Sequence, residues 1–246
     1  MTVEHTRCYL RNKMQIKTQN VDIDFQLKEH MSDIGIRISG GLDSALVLYM
    51  LCTYINETQK DLKIFPMTTN DFYRPYQVEF ADRVIKWMKK QFPDVFFYDH
   101  DTYNLKEGED YIEGQYHHKI RAGQQFYEKY GKRVDIVLHG VNLAPPSEIV
   151  ETFVNQDGKP FTGPKDNRNI LQDPWDMEKK LYKPLINLDK KGIAEIYDYY
   201  NLTDTLFYVT RSCECGDTTL TNNLTTHCET ECWWCFERKW GFGKIQ

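Results

Sequence analysis

No run of apolar residues in this 246-residue chain approaches the about 18 that a membrane helix needs, and the mean hydropathy is −0.63. The first 20 residues mix charged and polar groups without an apolar stretch. No signal peptide is therefore expected, and the cytoplasm is the expected compartment. Positive charge is in deficit: 31 Lys and Arg face 36 Asp and Glu, giving a net charge of −5 and a pI near 5.8. That balance speaks against a protein that grips nucleic acid by bulk charge, and it suits a small-molecule partner. Internal repeats and low-complexity tracts are missing too. What is present is ordinary globular material, 41% hydrophobic and 27% charged, enough to build a core. The length fits one α/β domain with a small appendage. Aromatic residues are plentiful at 14% and are expected mainly in the core.

Residues 1–33 are polar and are left unassigned. Residues 34–38 read as a short β-branched strand, and residues 45–54 as an apolar helix. A second strand is expected over 62–69. An amphipathic helix follows over 75–91, with Val78, Ala81, Val84, Ile85 and Met88 on one face and Pro75 suited to a first turn. A third strand over 95–98, a helix over 111–130 closed by Gly131, and a fourth strand over 134–138 continue the alternation. A last helix is expected over about 188–200, burying Ile193, Ile196 and Tyr197. Strands alternating with helices at this spacing imply an α/β fold with a parallel sheet between helix layers. Ligands of such sheets bind beyond the carboxyl ends of the strands. Three such ends carry polar residues here: Ser39 to Ser44, then Thr68, Thr69 and Asn70, then His139, Gly140 and Asn142. Residues 144–173 are rich in Pro, Gly and Asn and read as a functional loop or lid. The expected division is an unassigned segment 1–33, a nucleotide-binding domain 34–205 and a cysteine-rich tail 206–246.

The run Ser39, Gly40, Gly41, Leu42, Asp43, Ser44 sits between a strand and a helix start. Two glycines let the backbone turn sharply and approach a ligand. The first N–H groups of a helix have no partner within it, and with the positive end of the helix dipole they form an anion site. Ser39 and Ser44 add hydroxyl donors. A carboxylate at Asp43 would repel a phosphate unless a divalent cation bridged the two, so the loop points to a magnesium–nucleotide complex. The alternative is a tight turn in which Asp43 and Ser44 only cap the helix.

Five of seven cysteines fall in the last 34 residues. An odd, clustered set without an export signal points to metal binding in a reducing compartment. Cys232 and Cys235 have the two-residue spacing of a zinc knuckle, Cys228 is near enough for a third bond, and Cys213 completes a tetrahedral set. Cys215 and His227 compete for the fourth place. Zinc is favoured over an iron–sulfur cluster, which four cysteines also hold. Cys52 reads as a small core residue.

The hexamer Ser39–Ser44 resembles the signature of the PP-loop ATP pyrophosphatases, and it lacks the Gly-Lys-Ser/Thr of a Walker A loop. That resemblance implies AMP-forming use of ATP. Ser39, Gly40, Gly41, Leu42 and Ser44 would cradle pyrophosphate, and Asp43 would hold Mg2+, with Asp43 and Ser44 at the chemistry. Thr68 and Gly140 would border the nucleotide, and Lys183 of the run Lys183-Pro-Leu185 would contact phosphate. Adding Asp189-Lys190, Ser212-Cys213 and the Cys-rich end, the chain resembles the 7-cyano-7-deazaguanine synthases. They turn 7-carboxy-7-deazaguanine and ammonia into the nitrile. Three departures are plain: three residues separate Cys228 from Cys232 where the family has two. The stretches 70–74 and 143–148 lack the family's Gly-Gln-Arg-His and Tyr-Pro-Asp-Cys-Arg runs. The resemblance implies ATP, Mg2+ and Zn2+ as cofactors, a deazapurine and ammonia as small-molecule partners, and no membrane or nucleic acid; a homodimer is allowed. Glu148 and His139 are candidate general bases by position alone. The competing readings are a nucleic-acid thiolase, an adenylyl-sulfate reductase, and a non-catalytic nucleotide-binding module.

Overall fold

The β-branched stretch Asp33–Arg37 (β3) forms the centre of the molecule. The computed structural model describes residues 13–70, 76–104, 133–153, 170–213 and 232–245. The helix expected over 111–130 lies outside those residues, as do Cys215, His227 and Cys228. On one side of β3 the parallel strand Lys63–Asn70 (β4) pairs with it, and on the other side Ile136–His139 (β7) does so. Beyond β4 its edge is shared by Phe96–Phe97 (β5) and Asp101–Asn104 (β6), both parallel to it. Beyond β7 come Leu181–Tyr182 (β9), parallel, and Trp175–Asp176 (β8), antiparallel. The expected α/β fold with a largely parallel sheet is thus what the chain adopts. The chain passes from β3 through β4 to β5 and β6 on one side before it crosses to β7 on the other, so the crevice at the carboxyl ends of β3 and β7 is a topological switch point.

Alternation along the strands feeds two apolar clusters. Ile34, Ile36, Ile64, Ile136 and Leu138 join the large core, while Phe65, Met67 and Val137 join a smaller one with Val134. The helix Leu42–Thr58 (α1) is longer than the sequence indicated and is apolar nearly all round, as a helix inside a core must be. Burial raises the Cys52 thiol on it well above its ordinary value, fitting an inert core residue. The helix Tyr76–Gln91 (α2) buries one stripe, Phe80, Ala81, Val84, Ile85 and Met88.

The strands Met14–Lys17 (β1) and Asp22–Phe25 (β2) pair as a hairpin in the stretch that the sequence left unassigned. Met14 and Ile16 face the core, and Gln15 and Lys17 face solvent. Phe25 packs edge-on to Tyr54 of α1. The helical turn Ser147–Val150 (α3) follows β7, and the helix Lys190–Tyr199 (α4) follows β9. Asp189 caps α4, accepting from Lys191 N and Gly192 N, and Ile193, Ile196 and Tyr197 are fully buried as expected. Glu195 on α4 pins the hairpin by accepting from Thr18 Oγ1 (2.6 Å) and from Asn20. The turn Leu206–Val209 (α5) sends Leu206 and Phe207 into the core. The last helix, Trp233–Phe242 (α6), packs against α4 at Gly241. A Cβ on Gly241 would stand 2.5 Å from Lys190 Cβ and 2.7 Å from its carbonyl oxygen.

Candidate functional site

Arg37 of β3 lies opposite Met67 of β4 and His139 of β7, so the three polar strand ends expected to converge lie at one level. Ile38 extends the pairing by one bond, N to Met67 O, and then the chain turns. Gly40 has φ +78, and a Cβ there would sit 2.5 Å from Phe80 Cβ, so the turn is pressed against α2 where no side chain fits. Gly41 holds the N-cap position with extended backbone and no side-chain cap. The start of α1 is therefore not capped by a side chain at that position, as an anion site requires. Ser39 Oγ and Ser44 Oγ stand 3.1 Å apart. Ser44 Oγ donates to Gly41 O at 3.2 Å, and Ser39 Oγ accepts from Gly41 N at 3.3 Å. These are long bonds, and phosphate oxygens would be stronger acceptors for the same hydroxyls. Gly140 closes the turn from the side of β7: a Cβ there would lie 2.6 Å from Ser44 N and 2.7 Å from Asp43 C. Leu42 is buried, and its carbonyl accepts from Tyr197 Oη at 3.0 Å, tying α4 to the first turn of α1.

Asp43 is 21% exposed at its side chain, and Lys190 Nζ holds both its oxygens, at 2.6 and 2.5 Å. Lys190 is itself buried, and Glu237 Oε2 from α6 lies 3.6 Å from the same Nζ. Sequence reasoning found Asp43 but gave no site role to Lys190 or Glu237. One signal was available: a lysine as the first residue of a helix stands at the wrong end of the dipole and needs a carboxylate to hold it there. Arg211 was missed as well. Its backbone N–H donates to Gly40 O at 2.9 Å, and its buried guanidinium lies 4.6 Å from the Tyr76 ring centroid and 5.6 Å from that of Phe80.

At the end of β4, Thr68 Oγ1 donates to the carbonyl of Ile38, the residue before the turn. With that proton spent, Thr68 accepts from His100 Nε2 at 2.8 Å, and His100 Nδ1 lies 2.7 Å from Asp82 Oδ1 on α2. The hydroxyl thus fixes the entry to the turn. Lys183 follows β9, two strands from the turn, half-buried, with its N–H donating to Pro174 O at 2.8 Å. Glu148 is exposed on α3, and His139 is the half-buried last residue of β7.

Cys213, Cys232 and Cys235 bring their sulfurs within 4.8 Å of one another, with Cys213 and Cys235 buried. Cys232 is the N-cap of α6 and Cys235 lies in its first turn, where the dipole favours thiolates. Tetrahedral zinc with bonds of about 2.3 Å would draw such sulfurs to about 3.8 Å, a small adjustment. The donor set therefore fits a thiophilic metal ion.

No known family model matches the chain, and no curated protein does. Among solved structures the chain is similar to the U34-tRNA thiolase NcsA from Methanococcus maripaludis with its [4Fe-4S] cluster. The identity is 15% over 70% of this chain and 57% of that one, with a TM-score of 0.45. It is also similar to an NAD+ synthetase from Burkholderia pseudomallei, at 15% identity over 87% of this chain and 74% of that one, with a TM-score of 0.38. The chain spans little more than half of the thiolase. At such TM-scores neither likeness carries an assignment.

Proposed function

We propose that the chain is an ATP-dependent, AMP- and pyrophosphate-forming ligase that adenylates a carboxylate and passes it to ammonia. The observation that carries this reading is the turn after β3. Glycine-enabled backbone, two serine hydroxyls, the start of α1 and one carboxylate meet there at the switch point of a parallel sheet. A P-loop-type cradle with a lysine in the loop would need no such carboxylate. In the reaction the substrate carboxylate attacks the α-phosphorus, the bond to the bridging oxygen breaks, and pyrophosphate leaves with that electron pair. The hydroxyls of Ser39 and Ser44 and the N–H groups at the start of α1 hold the charge that develops on it. Asp43 has the oxygen chemistry for Mg2+, which when bound would neutralise phosphate charge. Ammonia then displaces AMP from the acyl adenylate. The resemblance in the sequence names 7-carboxy-7-deazaguanine as acceptor and 7-cyano-7-deazaguanine as product, the nitrile arising by a second adenylation, of the amide oxygen. Cys213, Cys232 and Cys235, with Cys228 as fourth ligand, would hold Zn2+.

A second reading is favoured by one observation. Cys213 follows two residues after Arg211, whose N–H holds Gly40, so a thiolate-bound centre would stand beside the turn. A thiolase working through a redox-active cysteine pair would use such proximity. One experiment separates the two: ATP, 7-carboxy-7-deazaguanine and ammonia are supplied, and AMP, pyrophosphate and the base are followed by mass spectrometry. The ligase reading expects AMP with amide or nitrile. ADP as product, or turnover only with a polynucleotide and a sulfur donor, overturns it.

A further inference from the structure

We propose that Arg211 is a ligand-binding residue whose guanidinium takes an oxyanion in the crevice beside the turn, either a phosphate oxygen of the nucleotide or the carboxylate of the acceptor. The inference rests on the reading of that turn as a nucleotide cradle. Among the described residues three cations are buried: Lys190 at 3% exposure, Arg238 at 1% and Arg211 at 6%. Two of them have polar partners. Lys190 holds the Asp43 carboxylate, and Arg238 donates from Nη1 to Thr210 Oγ1 and from Nη2 to the Phe207 carbonyl. Arg211 differs. No carboxylate, hydroxyl or carbonyl of the described residues accepts from its guanidinium, and its Nε is sealed from solvent without a partner. What faces the charge is aromatic, with the ring centroids of Tyr76 at 4.6 Å and Phe80 at 5.6 Å. Such rings return only part of what it costs to take a guanidinium out of water.

This charge stands where a ligand of the turn would meet it. The backbone of Arg211 borders the turn twice: its N–H donates to Gly40 O at 2.9 Å, and its carbonyl oxygen would lie 3.6 Å from a Cβ on Gly41. Its side chain reaches α2 at Phe80, the residue whose Cβ presses on Gly40. A second arginine shares that ring. The Arg83 guanidinium lies 4.7 Å from the Phe80 centroid, and it donates to Glu79 Oε1 at 2.6 Å. One ring thus carries an arginine with a carboxylate and an arginine without one. Arginine cannot shed its proton to escape the cost of burial, so Arg211 needs an anion to complete it. Its planar fork matches a carboxylate or a phosphate with two parallel bonds, and a nearly dry site strengthens both. Ser39, Ser44 and the N–H groups at the start of α1 bring no full positive charge to the turn, and Lys190 is committed to Asp43.

The test uses the full chain, Mg2+ and three probes: inorganic pyrophosphate, AMP and 7-carboxy-7-deazaguanine. Arg211→Met removes the charge and keeps most of the side chain's length. Without ligand it should melt at the wild-type temperature or above, because it deletes a buried charge that the fold leaves without a counter-charge. Calorimetry should show the affinity for one probe falling at least about tenfold while the others hold. Loss of pyrophosphate or AMP assigns the oxyanion to the nucleotide, and loss of the deazapurine assigns it to the acceptor carboxylate. A lower melt with wild-type affinity for all three probes would make Arg211 a pillar for Tyr76 and Phe80, and this overturns the proposal. A readout on the wild-type chain decides the case of a variant that folds poorly. The guanidinium protons of Arg211, assigned with labelled arginine and the Arg211→Lys variant, should shift and exchange more slowly when the bound probe is added. Resonances unmoved by all three probes overturn the proposal. If the wild-type chain binds pyrophosphate and Arg211→Met binds every probe equally well, the proposal fails and the cradle stands. If the wild-type chain binds neither pyrophosphate nor AMP, the nucleotide reading has failed and the proposal with it.

Discussion

Gly140→Ala is the sharpest test of how the turn is built. The new Cβ would stand 2.6 Å from Ser44 N, 2.7 Å from Asp43 C and 2.8 Å from Ser44 Cα. All three are backbone atoms in the first turn of α1, so no flexible side chain can give way. Ordinary contact begins near 3.4 Å, so either the end of β7 or the start of α1 must shift by about 0.8 Å. Overpacking of this kind costs about 1–3 kcal/mol, and the lower chain entropy of alanine returns about 0.5 kcal/mol. A net loss of about 0.5–2.5 kcal/mol should lower the melting temperature by about 1–10 °C in a chain of this size. The displaced atoms are the ones that would face phosphate, so pyrophosphate affinity should fall by one to two orders of magnitude, on the order expected for a misplacement near 1 Å. Gly41→Ala is the control. Its Cβ would meet only Ser39 Oγ at 3.4 Å and Arg211 O at 3.6 Å, and its backbone is already extended, so the melting temperature should hold. Calorimetry with pyrophosphate and a thermal melt read both quantities. If Gly140→Ala keeps both its melting temperature and its affinity, the close approach of β7 to α1 is wrong.

Asp43→Asn should abolish pyrophosphate release with little loss of fold, whereas Asp43→Ala should also cost about 1–3 kcal/mol because it leaves the buried Lys190 only the longer contact to Glu237; equal melts for the two would refute that pairing. Protein purified under reducing conditions should carry about one thiolate-bound ion per chain, zinc on the ligase reading, and Cys232→Ser should lose it, melt lower and bind pyrophosphate less tightly. Elemental analysis without a metal would refute the cluster, and a visible charge-transfer band would replace zinc by iron and sulfur. Hydrogen bonds from Thr18 and Asn20 hold the Glu195 carboxyl below its ordinary 4.5. A depressed carboxyl stabilises the fold above its unfolded value, so the contribution is whole at neutral pH and fades as the pH falls from about 4.5 through the depressed value. Glu195→Gln should flatten that acid limb in a pH series of melts, and an unchanged limb would refute the role.

The turn and the strands around it were legible because their signals are local. Ile34, Ile36 and Ile38 mark a strand, two glycines mark the turn, and an apolar run marks α1, all within about twenty residues. Lys190 and Asp43 are 147 residues apart, and no local pattern pairs them. Only a cation at the wrong end of a helix hinted at a distant carboxylate. The β1–β2 hairpin was missed because each strand has four residues, too short for the alternation of Met14 and Ile16 with Gln15 and Lys17 to stand out among charged neighbours. The third expected strand, over 95–98, keeps only Phe96 and Phe97. Past Tyr98, which donates to Ile64 O, the edge of β4 passes to Asp101–Asn104, a polar run that fits an edge strand and reads as a loop.

The C-terminal region grips the turn at two separate points, and this gives the cysteine cluster a reach beyond its own tail. Arg211 N–H holds the Gly40 carbonyl, and Lys190, on which Gly241 of α6 packs, holds Asp43. The first grip belongs to the strap that ends in Cys213, and the helix that begins with Cys232 and Cys235 packs on the residue of α4 that makes the second. An ion bonded to all three sulfurs would cross-link strap and helix. The covalent path from Cys213 to Arg211 is two residues, or about 7 Å of chain. Slack between strap and helix would therefore reach both Gly40 and Asp43, which lie on opposite sides of the helix start. A tail that served only its own folding would need neither contact.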